Sequence, residues 1–116
     1  MEARLPSPQS KPIVVADLVI DRSLGRAWRG QRRLRLTPRE LEVLEILAEN
    51  MDHVVSRDEI YRSAWGPEHE PTSNLVDATI SHLRGKVDWG HRLRLIHTAR
   101  GSGYVLSVDP EIARGR

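Results

Sequence analysis

At 116 residues, 39% of them hydrophobic and 29% charged, the chain has the length and balance of one small globular domain. It has no cysteine, which excludes a disulfide framework and a thiolate zinc site, and no apolar run near the ~20 residues that span a bilayer. Net charge is only +2, but it divides into +5 over residues 1–36, −6 over 37–70 and +3 over 71–116, which suits one basic face turned to a polyanion or, equally, a mixed surface with no partner.

Residues 1–12 hold three prolines and two serines and little to bury, so they are expected to be a linker remnant. They lack the apolar stretch of a signal peptide, and a cytoplasmic setting with no membrane partner is the simplest expectation. From Ile13 the pattern turns to short β-type runs at 13–15, 18–20, 27–28 and 34–36, with Gly25 and Gly30 in the breaks, which predicts a small antiparallel meander. Thr37-Pro38-Arg39-Glu40 then combines an N-cap threonine, proline at the first helical position and glutamate at the third. Leu41, Leu44, Leu47 and Ala48 follow at helical spacing, predicting a helix over about 38–50. Ser56-Arg57-Asp58-Glu59 is a second capping box, opening a short helix that Gly66-Pro67 stops. A third helix is expected from Thr72 or Ser73 to Val87, with Val76, Ile80, Leu83 and Val87 as its buried stripe. Two β-type runs, 93–98 and 104–108, flank Gly101-Ser102-Gly103 and predict a hairpin, and 109–116 is expected to be a frayed tail. The domain is expected over 13–108, in the order small sheet, three helices, hairpin.

If the stripe of the third helix faces the core, Asn74, Ala78, Ser81, His82 and Gly85 point outward, with Asp77 and Arg84 beside them. That face is small and polar. Short donors and acceptors with room for close approach are what base edges in a major groove require, although a solvated face reads the same way. Gly85 costs roughly 1 kcal/mol inside a helix and calls for a reason, of which a nearby helix end is the dull one. Arg100 heads the glycine turn, where its side chain can reach a narrow minor groove or simply be an exposed turn residue. Sixteen of the eighteen basic residues are arginine, the residue suited to forked contacts with phosphate and guanine. The five histidines (53, 69, 82, 91, 97) show no ligand spacing on one element, and Glu68-His69-Glu70 is a weak loop cluster, so no metal and no cofactor are expected. No nucleophile elbow or triad pattern is present, and no enzyme is expected.

The segments 36–47, 55–60, 64–66, 74–87 and 95–106 (LIHTARGSGYVL in the last) together resemble the effector domain of OmpR/PhoB-type response regulators, and 74–78 with 95–104 resemble its heavy-metal and copper-responsive branch most. The resemblance covers about 13–108 and implies an α+β winged helix-turn-helix: N-terminal sheet, three-helix core and C-terminal hairpin wing. It implies base-facing roles for Asn74, Asp77, Ser81 and His82, backbone contacts by Arg57, Trp65, Thr79, Arg84 and Thr98, and Arg100 in the minor groove. Loop 66–72 corresponds to the segment through which relatives engage RNA polymerase. Family members bind double-stranded DNA as head-to-tail pairs on direct repeats, so a monomer in solution that pairs on DNA is expected.

The chain departs from the family where Ser81 and His82 stand in place of frequent arginines and Gly85 in place of a longer residue, so the target sequence cannot be carried over. The receiver domain that normally precedes this one is absent from the chain, which is expected to begin in the linker, as an excised fragment or as a product without its own phosphorylation switch. The alternative function is a protein-interaction module that contacts polymerase and has only non-specific DNA affinity.

Overall fold

The computed structural model describes residues 11–66 and 74–114. Residues 1–10, most of the expected linker, and 67–72, nearly all of the expected polymerase loop, lie outside the described residues, as does the 68–70 cluster.

The meander forms as four antiparallel strands, β1 (Ile13–Val15), β2 (Leu18–Asp21), β3 (Arg26–Arg29) and β4 (Arg32–Leu34), in the order β1-β2-β3-β4. Alternation sends Val15, Leu18, Ile20, Ala27 and Leu34 inward, while Val19 pairs with Trp28 and Trp28 with Arg33 on the other face. β4 ends two residues earlier than the run 34–36 implied, because Leu36 already leads into the cap of the next helix.

Both capping boxes form. Thr37 caps α1 (Pro38–Glu49) and Ser56 caps α2 (Arg57–Trp65), each side chain accepting from the third helical amide while Glu40 or Glu59 reaches back to the cap amide. α3 spans Leu75–Val87 with Asn74 at its cap position, where the side chain makes no capping bond. Val76, Ile80, Leu83 and Val87 are the buried residues of α3 and meet Val43, Leu44 and Leu47 of α1 beneath the sheet.

The hairpin consists of β5 (Ile96–Ala99) and β6 (Gly103–Leu106), shorter than the two β-type runs. Leu95 is buried just before β5, and its amide and that of Ile96 donate to the Asp88 carboxylate at 2.9 and 3.1 Å. β6 also pairs outward: Val55 and Tyr104 exchange backbone hydrogen bonds, and the Asp52 amide donates to the Leu106 carbonyl. A Cβ on Gly103 would collide with the Val55 carbonyl oxygen, so this glycine serves close strand approach as well as the turn. Within the expected tail, Ile112–Arg114 form a 3-10 turn packed on β5 and β6, with Ile112 and Ala113 half-buried and Arg114 exposed.

Candidate nucleic-acid interface

The outer side of α3 is as bare as its sequence implies. Asn74, Ala78, Ser81, His82 and Gly85 are all exposed, and among the described residues nothing lies within 4 Å of a Cβ built on Gly85. Thr79 is half-buried and its hydroxyl donates to the Leu75 carbonyl at 2.9 Å, so that proton serves its own helix. Arg100 is exposed at the wing tip, and Thr98 is exposed on β5. Arg84 and Gly85 of α3 and Thr98 and Arg100 of the wing line one concavity of about 1400 Å³, which puts helix and wing tip on a common side.

Four of the expected residues, Arg57, Asp77, Arg84 and Thr98, are tied into a network that the sequence did not reveal. Arg57 Nε donates to Asp77 Oδ1 at 2.8 Å, and the Tyr104 hydroxyl donates to the same oxygen. The guanidinium groups of Arg57 and Arg84 lie 5.2 and 5.5 Å from the Tyr104 ring centre, within cation–π range. Arg84 also donates to the Ile96 carbonyl and the Thr98 hydroxyl, which fastens α3 to the wing. The Tyr104 and then the Arg57 hydrogen bond hold the Asp77 carboxyl below its usual range. Burial and the adjoining carboxylate push the Tyr104 phenol up, so it stays a donor at neutral pH. Asp77 Oδ2 has no hydrogen bond among the described residues, and the Arg57 and Asp77 side chains are each 43% exposed. Part of each group is spent on orientation and part remains exposed.

Trp65 closes α2 half-buried. Its ring stacks on Tyr61 at 5.4 Å, with the Arg39 guanidinium 5.0 Å over it. Its indole N–H has no hydrogen-bond partner among the described residues.

The far end of α3 rests on residues that sequence reasoning missed. Arg29 is 2% exposed; its Nε donates to Asp17 at 2.6 Å, its Nη1 to the Val87 carbonyl at 2.8 Å and to Asp88 at 3.2 Å, and its Nη2 to the Leu93 carbonyl at 2.6 Å. A cation on the last carbonyls of a helix is the favourable sign for its dipole. Lys86 Nζ reaches Glu40 at 2.7 Å and the Arg35 carbonyl at 2.9 Å. Burial raises the Glu40 carboxyl, but the Lys86 and Thr37 hydrogen bonds outweigh it and leave the group below its ordinary value. The missed signal was alternation: in Arg26-Ala27-Trp28-Arg29, inward Ala27 puts Arg29 on the inner face too.

Among the described residues no three His, Asp or Glu side chains gather around one metal position, and no helix is long and apolar enough to cross a membrane.

Residues 30–106 match the family model for the C-terminal domain of transcriptional regulatory proteins. The chain belongs to this family. It is 36% identical over 102 residues to the response regulator MprA of Mycobacterium avium, covering 88% of this chain and 45% of that one, so it spans less than half the length of such relatives. A crystal structure of the Klebsiella pneumoniae RstA DNA-binding domain in complex with the RstA box superposes with a TM-score of 0.75 at 25% identity, covering 85% of this chain and 99% of the other. The response regulator DrrB, a Thermotoga maritima OmpR/PhoB homologue, gives a TM-score of 0.73 at 30% identity over 83% and 44% of the two chains. The fold is the winged helix of OmpR/PhoB-type response regulators, and the match is to their C-terminal DNA-binding domain, a class of transcription regulators and not of enzymes.

Proposed function

We propose that this domain binds double-stranded DNA sequence-specifically as the output end of a two-component regulator, with α3 in the major groove and Arg100 of the wing in the adjacent minor groove. The observation that carries the reading is the common side of α3 and wing: Arg84 and Gly85 line one concavity with Thr98 and Arg100, and Ser81 and His82 stand exposed one turn earlier on the same helix. Asn74, Ser81, His82 and the outward oxygen of Asp77 supply base discrimination; an acceptor such as Asp77 Oδ2 suits a cytosine amino group. Arg57, held by its Nε, offers its Nη groups to a phosphate, and Trp65 offers its indole N–H. Arg84 and Thr98 brace the wing and contribute what donor capacity remains, and Thr79 acts through its hydroxyl oxygen.

The domain is proposed to span 13–108 and to work in the cytoplasm. Contact with RNA polymerase through 66–72, an upstream receiver, head-to-tail pairing on direct repeats ~10 bp apart and a monomeric free state are proposals carried by the family resemblance. So is kinship to the heavy-metal branch, which rests on 74–78 and 95–104 alone.

Selection of bound duplex from a randomised pool tests the central reading. An enriched direct repeat, weakened for Arg100→Ala and changed in preference for His82→Ala, supports it. Binding that depends on salt alone, with no enriched motif, would leave the polymerase-directed module as the better account.

A further inference from the structure

The concavity beside α3 runs on past the recognition face. Its continuation is walled by the segment 89–94, which joins α3 to β5, and closed by the 3-10 turn at Arg114. Arg92 and Arg94 stand exposed on that segment, and among the described residues neither makes a hydrogen bond or an ion pair. Several arginines elsewhere are committed, Arg29 and Arg62 to aspartates and Arg39 to Glu42; Arg26, Arg33 and Arg35 share with Arg92 and Arg94 the lack of a side-chain hydrogen bond or ion pair among the described residues, but they lie off this concavity. The acid that lines the concavity, Asp88, is buried and already accepts from Arg29, Leu95 and Ile96. The charge it offers to a visitor is therefore positive. Trp89, 72% exposed, stands on the same lining and adds an aromatic face with an N–H donor.

We infer that this groove seats the phosphates of the DNA strand that continues beyond the wing, and that Arg92 and Arg94 are phosphate contacts outside the positions the family resemblance assigns. The inference rests on the DNA-binding reading and lengthens its footprint. Continuity argues for a nucleic-acid strand over an acidic protein segment. Arg84, Gly85, Thr98 and Arg100 line the same concavity, and a strand that separates the major groove at α3 from the minor groove at the wing has to pass between them. A polyanion with regular charge spacing also suits uncommitted arginines better than an irregular carboxylate patch.

The test is a salt titration of binding to the duplex recovered by pool selection, comparing wild type with Arg92→Gln/Arg94→Gln. Two lost phosphate contacts make the plot of log K against log salt shallower by about 1.8, so over a four-fold rise in salt the wild type loses about twelve-fold more affinity than the variant. The enriched motif and the urea midpoint stay unchanged. Equal slopes for the two proteins, or a changed base preference, would overturn the inference while leaving the DNA-binding reading in place. A wild type that enriches no motif removes both. Capture of a poly-glutamate peptide by wild type but not by the variant, with equal DNA slopes, reassigns the groove to an acidic protein partner.

Discussion

The two ends of α3 are anchored in different ways. At the C-terminal end a buried arginine donates to a carbonyl of the helix, to the aspartate after it and to the segment beyond, with nearly every donor spent. At the N-terminal end a half-exposed aspartate holds an arginine and a tyrosine by one oxygen, and part of each charged group stays open. The difference separates two tasks. A saturated, water-excluded clamp fixes where the helix lies, because any displacement leaves several buried polar groups unpaired. A half-spent network fixes how side chains point while keeping them usable by a partner.

The strongest attack on this contrast is Arg29→Met. It removes the cation that Asp88 faces and strips the Val87 and Leu93 carbonyls of their donor, and a loss of about 3–5 kcal/mol in urea unfolding is expected. A loss under about 1 kcal/mol would mean that the clamp is ornamental. Next comes Gly103→Ala, which forces the new Cβ against the Val55 carbonyl at a φ of +147° that L residues rarely adopt. About 3 kcal/mol should go, with the wing and the α2 start loosened together, as seen by protection of the Val55 and Tyr104 amides.

Gly85→Ala sharpens the comparison from the other direction. With open space around the new methyl and a helical backbone, stability should rise by about 1 kcal/mol. DNA affinity should fall in the same protein, since the proposed role of the glycine is room for a partner. A stabilised variant with unimpaired binding would reduce Gly85 to a quirk of the helix end.

The smallest effect is expected at Asp77→Asn. The network is well exposed, so the stability change should stay under about 1 kcal/mol. Its pH dependence has a definite sign. The folded carboxyl titrates below the ordinary value of 3.8, so its contribution is fully present above that value and is lost as pH falls through the lower, folded one. The difference between wild type and variant should therefore be flat from pH 8 to pH 5 and close only in stronger acid. A difference that fades near neutrality would place the relevant titration on another group.

What could be read from the sequence follows the range of the interactions. The two capping boxes lie within four residues of chain, and both helices start where Thr37 and Ser56 say they should. The stripe 76-80-83-87 needs only helical periodicity and is the buried stripe of α3. The outward residues of the candidate interface came from the same wheel. Arg29 was hidden because the Val87, Asp88 and Leu93 groups it serves lie 58 to 64 residues away, and a strand arginine looks like surface until its register is known. Tyr104 read as one more strand residue for the same reason: its partner Asp77 is 27 residues back, on another element. The run 93–98 looked like strand throughout, and the bonds from the Leu95 and Ile96 amides to Asp88 cannot be inferred from alternation.

The bridge between Val55 and Tyr104 has a consequence for how the domain opens. A two-stranded hairpin is marginal in water by itself. Here its second strand is sewn to the residues just before α2, so the wing cannot peel away without uncapping that helix. Solvent exchange at these amides should then report whole-domain opening rather than local fraying. A pull on the wing is felt at the start of α2, and an arginine at its tip stands on a hairpin tied to the helical body.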